Sequence, residues 1–232
     1  MKRILAIVWM VILVAGLSLS GGCAVVESED VKTSGMWAHF VIDHHPDDKV
    51  VAWAVMRVGG QTGTIIDMVG SDYLECNGVR MTEYVEAITN FHWNRAEISP
   101  DPQGIYEFTF NRVDETVTSY VSTPSVPFII DTVPDITLNA GTRIEVTWDA
   151  TDPGEHVNFF VWGSCIEDIW DMDNLDDGNH VLPELKDFDP QNPSDCTVSL
   201  ELRRWVSGDV AAEFKDGYTE AKRMDGLTFN YE

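Results

Sequence analysis

The sequence predicts an all-β protein: two antiparallel β-sandwich domains after an N-terminal signal helix. Three observations predict it. Apolar and polar residues alternate with period two in several short runs, as half-buried strands require. Turn residues punctuate those runs, most sharply at Asn77-Gly78. Beyond Gly22 no long stretch repeats with helical period.

The first element is Met1 to Gly22. Lys2 and Arg3 precede an apolar run from Ile4 to Leu19, and small residues follow before Cys23. That order describes an export signal. Leu19-Ser20-Gly21-Gly22-Cys23 resembles the lipobox of bacterial lipoproteins, with Leu four residues before the cysteine rather than three. The resemblance implies cleavage before Cys23 and lipidation, palmitate included, of that cysteine. Ala24 stands where an aspartate would signal retention at the inner membrane, which implies the outer membrane of the cell envelope. The competing reading is an uncleaved membrane helix. Spanning hydrocarbon takes about 20 apolar residues; this run has 16, and the next charges are Glu27, Glu29 and Asp30. Residues 23–35 then form a lipidated tether, polar and without period.

Thirty-nine acidic side chains against fifteen basic ones give the 232 residues a charge of −24. Such acidity repels nucleic acid and anionic headgroups. The expected partners are the membrane, reached through the N-terminal lipid, and a protein or glycan of the envelope. Export implies oxidising surroundings. Cys165 and Cys196 are expected to form a disulfide, leaving Cys76 as a small buried hydrophobe.

The first domain is expected over residues 36–133. Trp37 to Ile42 reads as a strand, Lys49 to Val58 as one covered on both faces, and Thr64 to Val69 as the next. Asn77-Gly78 pairs Cys76 with Val79, Glu75 with Arg80 and Leu74 with Met81. This puts Leu74, Cys76, Val79 and Met81 on the core face. Met81 to Ile88 reads as a strand or a helical turn. Asn90 to Ile98, Ile105 to Arg112, Thr116 to Val121 and Val126 to Thr132 complete the set. Val133-Pro134-Asp135 marks a boundary, and residues 134–232 form the second domain. There Ile144, Val146 and Trp148 alternate with polar residues, His156 to Cys165 returns as an apolar strand, and Val198, Leu200 and Leu202 alternate again. Val210 to Phe214 and Leu227 to Tyr231 continue in kind. The Ile-x-Val-x-Trp strand before a Pro/Gly loop resembles the second strand of fibronectin type III and related immunoglobulin-like sandwiches, which implies a core role for Trp148.

For metal chemistry the sequence offers Asp171, Asp173, Asp176 and Asp177. Alternating carboxylates suit Ca2+, but Leu175 and Leu182 occupy positions where a 12-residue calcium loop needs oxygen. A looser calcium site competes with a solvated acidic turn, and the turn is favoured. His44-His45 with Asp43, Asp47 and Asp48 reads as an exposed loop, because adjacent residues rarely ligate one ion. The other histidines, His39, His92, His156 and His180, are scattered. No nucleophile elbow, phosphate loop or zinc-protease helix occurs, so no enzyme is expected and no catalytic residue is assigned; the alternative class, given so many carboxylates, is an extracytoplasmic hydrolase or its accessory subunit. Alternation is expected to put most tryptophans in cores; Trp170 and Trp205 are the candidates for stacking on a ligand.

Overall fold

The computed structural model describes residues 25–45, 47–86, 91–124, 138–149, 156–189 and 195–232. In chain order the strands are β1 Val25–Glu27, β2 Met36–His44, β3 Val50–Val58, β4 Thr64–Asp67, β5 Tyr73–Cys76, β6 Val79–Arg80, β7 Thr82–Glu86, β8 Phe91–Ile98, β9 Ile105–Asn111 and β10 Thr116–Ser122. They continue as β11 Glu145–Thr147, β12 His156–Trp162, β13 Ile169–Leu175, β14 Asn179–Val181, β15 Cys196–Gly208 and β16 Asp216–Tyr231. The protein is all-β, with two short 3-10 turns at Ser28–Asp30 and Thr33–Gly35. The signal sequence, Cys23, the strand expected at Val126 to Thr132 and the boundary at Val133-Pro134-Asp135 lie outside the described residues.

A ten-stranded sheet runs β1-β4-β3-β2-β16-β15-β12-β13, with β8 also on β3 and β7 beyond β8. Its pivot is β16. Residues 216–223 pair in parallel with 37–44 of β2, while 219–231 pair antiparallel with β15. Gly217 makes the parallel approach feasible: a Cβ there would stand 2.0 Å from the Ala38 carbonyl oxygen. A four-stranded sheet, β10-β9-β5-β6, and a two-stranded one, β11-β14, complete the structure.

Two cores form on the same side of the large sheet. In the first, Ala38, Phe40, Ile42, Ala52 and Ala54 meet Leu74, Cys76, Tyr106, Phe108 and Phe110 of the four-stranded sheet. Phe40 stacks on Phe108 at 4.8 Å. Each such ring contributes roughly 1.5–3 kcal/mol by leaving water. In the second core, Val157, Phe159, Val198, Leu200, Leu202 and Tyr231 meet Ile144, Val146, Trp148, Leu182 and Leu185. The last strands also reach the first core: Ala221 of β16 is buried in it with Val206 of β15 against it, and the connection between them adds Val210, Ala211 and Phe214.

The Asn77-Gly78 hairpin has the anticipated register, Glu75 with Arg80 and Cys76 with Val79, and both turn residues have positive φ, 47° and 74°. Leu74, Cys76 and Met81 are buried, but Val79 is 43% exposed. β6 is only two residues long and lies at a sheet edge, so its side chains stay partly open to solvent. Arg80 stacks over Tyr73 at 4.4 Å. β7 settles Thr82 to Glu86 as strand rather than helical turn.

Val210 to Phe214, expected as a strand, belongs to the connection between β15 and β16. Its amide at Ala211 donates to the Ser119 hydroxyl at 2.9 Å, and Phe214 plugs the first core. The segment caps an open end of that core, which a flat strand would leave uncovered. Asp216 to Gly226 is strand throughout, although its charges hide the inward pair Thr219 and Ala221.

Candidate functional site

The acidic run is strand up to Leu175 and turn beyond it. Alternation along β13 and the turn beyond it sends the carboxylates to different partners. Asp171 accepts from Nε2 of His180 at 2.8 Å and from Asn174 at 3.1 Å. Asp176 turns inward: Nη2 of Arg204 lies 2.9 Å from its Oδ1 and 2.7 Å from its Oδ2, and the Trp148 indole donates to it at 2.6 Å. Asp177 is exposed and caps the Asn179 amide at 3.2 Å. The side chain of Asp173 is outside the described residues. Asp171, Asp176 and Asp177 therefore do not converge on one point.

Cys165 and Cys196 are bonded, with Cα atoms 5.8 Å apart. Cys76 is free and buried, and burial pushes its thiol up to about 12. A thiol so disposed stays protonated and inert at neutral pH. His44 is not on an exposed loop: it ends β2 on the core face, 3.5 Å from Asp48. Burial first, then Arg223, lower its pKa.

The tryptophans gather elsewhere than expected. Ladder partners share a face, and the registers put Trp37, Trp53, Trp93, Trp162, Trp170 and Trp205 on the side of the large sheet opposite both cores. Six of the eight tryptophans in the sequence thus line one face. Among the described residues only Trp148 is in a core. Trp93 is the hub at one end, with Tyr84 stacked on it at 5.0 Å, Phe91 at 5.4 Å and Trp53 edge-on at 5.9 Å. Arg57 lies over Phe91 and Arg95 over Trp53, at 5.4 and 5.2 Å. In the middle, Tyr218 meets His39 at 4.1 Å and Trp37 at 5.8 Å. At the other end Trp170 meets Phe160 at 5.8 Å, with Arg203 over that ring at 4.1 Å. Tyr84 is 56% and Trp170 71% exposed, whereas Trp205 is half-buried near His156.

Two polar atoms on this face are buried with no hydrogen-bond partner among the described residues: Oδ1 of Asp43 and the indole nitrogen of Trp93. Leaving such an atom unpaired costs about 1–3 kcal/mol. Burial raises the Asp43 pKa against the opposing pull of Lys222, His45 and the Trp53 indole. Nearby, a hydrogen bond from His39 at 3.3 Å holds Glu220 below its usual range. The exposed aromatic planes of this face suit stacking on a flat ligand.

Both faces of β2 and β3 are apolar, so their sequence does not say which face the cores take; β3, expected to be covered on both faces, packs a core on one and carries Trp53 on the other. The one available hint was size: Ala38, Ala52 and Ala54 leave room for a second sheet, which the tryptophans on the other face do not.

At the edge of the sheet, Asp67 of β4, Glu83 of β7 and His92 of β8 place one ligand atom each within 4.8 Å of one another. Nδ1 of His92 is 2.7 Å from Oε1 of Glu83.

No protein-family model matches the chain, and no curated protein matches it. The chain is similar to a solved structure described as "Anomalous substructure of Titin-A168169", at 10% identity over 84% of this chain and 95% of that one, with a TM-score of 0.22. A likeness at that score carries no argument, and the fold rests on the strand pairing above.

Proposed function

We propose that this protein is a non-enzymatic lipoprotein of the cell envelope, anchored at the outer membrane through lipid on Cys23, whose β body binds a polysaccharide. The observation that carries the binding reading is the single sheet face holding six tryptophans, with Trp170 and Tyr84 exposed on it. Sugar rings stack on such planes, and Tyr84 and Trp170 present theirs to solvent. The net charge of −24 disfavours nucleic acid as the flat ligand. A description of the body as two immunoglobulin- or fibronectin-III-like sandwiches belongs to this proposal, supported by the core position of Trp148. The anchor is supported by the lipobox and the Lys2-Arg3 start.

Affinity electrophoresis of the full chain through gels containing envelope polysaccharides tests the binding. Retardation is expected from at least one polymer. Tyr84→Ala, at an exposed position, is expected to weaken it by about 2 kcal/mol, near thirty-fold. Equal mobility of Tyr84→Ala, Trp93→Phe and the parent in every polymer overturns the reading, and release of soluble sugar overturns its non-enzymatic part. Metabolic labelling with a palmitate analogue tests the anchor: the label is expected in the parent and absent from Cys23→Ser.

Asp43 gives a pH-dependent prediction. Its folded-state pKa is raised by burial, so its contribution to stability is full below the unfolded value and is lost as pH rises through the folded one. Asp43→Asn is therefore expected to raise the unfolding midpoint at pH 7, each kcal/mol appearing as about 2–4 °C. The advantage should disappear below about pH 4. Thermal unfolding of both proteins across pH 3–8 checks this.

A further inference from the structure

The large sheet forks at β3. Its first residues, Val50 to Ala54, pair with β8, while Arg57 and Val58 pair with β4. Asp67 ends one branch, and Glu83 and His92 come from the other. Across the fork these three side chains face one another, all partly buried, with ligand atoms within 4.8 Å. Two carboxylates drawn this close repel unless a proton or a cation lies between them. His92 answers part of that demand, its Nδ1 lying 2.7 Å from Oε1 of Glu83.

We propose that Asp67, Glu83 and His92 bind a divalent transition-metal ion of the zinc class. The donor set decides the class. An imidazole nitrogen with two carboxylates suits zinc, whereas Ca2+ takes oxygen alone. Bonds of about 2.0–2.2 Å span ligand atoms up to about 4 Å apart, so rotation of the side chains closes the set. Three protein ligands leave a coordination position open. Beside it lies a cleft of about 340 Å3 lined by Met68, Thr82, Glu83 and Asn94, among others. The ion fastens the end strand β7, whose pairing is with β8 alone, across to β4. Since Tyr84 follows Glu83 and points to the opposite face, the same ion holds the exposed ring of the aromatic platform in place. The metal site itself stands independently of any glycan ligand.

The test is calorimetric titration of Zn2+ into the full chain, stripped by chelator and held in detergent. One saturable equivalent is expected, weakened at least a hundred-fold in His92→Gln and in Asp67→Asn. At a hundred-fold excess over Kd the midpoint should rise by roughly 5–10 °C in the parent and not in the variants. Far-ultraviolet circular dichroism in chelator establishes that the variants are folded; should either fail, Glu83→Gln replaces it. Absence of a saturable equivalent, or one unchanged in folded variants, overturns the site. Zn2+ binding of the same strength as Ca2+ binding also overturns it, because it marks surface acidity instead.

Discussion

Asp176→Ala is expected to destabilise the protein by about 3–5 kcal/mol, the cost of stranding a buried charge. Arg204 is 1% exposed, the largest of the fully buried side chains. Its Nη2 group is shared between Asp176 and the Asp149 carbonyl, the latter at 3.1 Å. Removing the carboxylate also takes the acceptor from the Trp148 indole, so the second core loses a second hydrogen bond. Arg204→Met in the Asp176→Ala background should recover most of the loss, since an apolar pair of similar volume avoids the stranded charge. Chemical denaturation of the parent, single and double variants checks both statements. A single-variant loss below about 1 kcal/mol would show that water reaches Arg204.

Breaking the Cys165–Cys196 bond is the second large effect. The bond joins residues 31 apart, and loop closure of that length is worth roughly 3–4 kcal/mol. The closed loop contains β13, β14 and the strap from Leu182 to Phe188, which covers the second core. Tyr231 fastens that strap by donating to Asp187 at 2.6 Å, and the Phe188 amide donates to the Cys165 carbonyl at 2.9 Å. The Cys165→Ala/Cys196→Ala variant is expected to unfold at a lower denaturant concentration. Its hydrogen-exchange protection should fall more at β11, β14 and the strap than at β2 and β3, whose core lies elsewhere. Uniform loss across all strands would show that the two cores unfold as one unit.

Much of the strand content was readable from local pattern. Tyr106, Phe108 and Phe110 declare an inward face because polar residues separate them, and Asn77-Gly78 declares a turn because both residues accept positive φ. The acidic run misleads for a related reason. Carboxylates from Asp171 onward signal solvent by composition, yet Ile169–Leu175 forms a strand and Asp176 is consumed by an arginine 28 residues away. The Asp67, Glu83 and His92 cluster left no sequence signal at all. Its members come from three strands with no fixed spacing, and only the fork at β3 brings them together.

The sequence by itself determined the all-β class, the hairpin register, the disulfide and the alternation of each strong strand, because these follow from a two-residue period, turn stereochemistry and the count of cysteines. Only the tertiary structure decided which face of β2 and β3 is covered, that β16 pairs in parallel with β2, and that six tryptophans share one side. The period divides a strand into two faces, but the choice between them belongs to whatever packs there. Here Trp37 is set opposite Asp216, a partner 179 residues further along the chain.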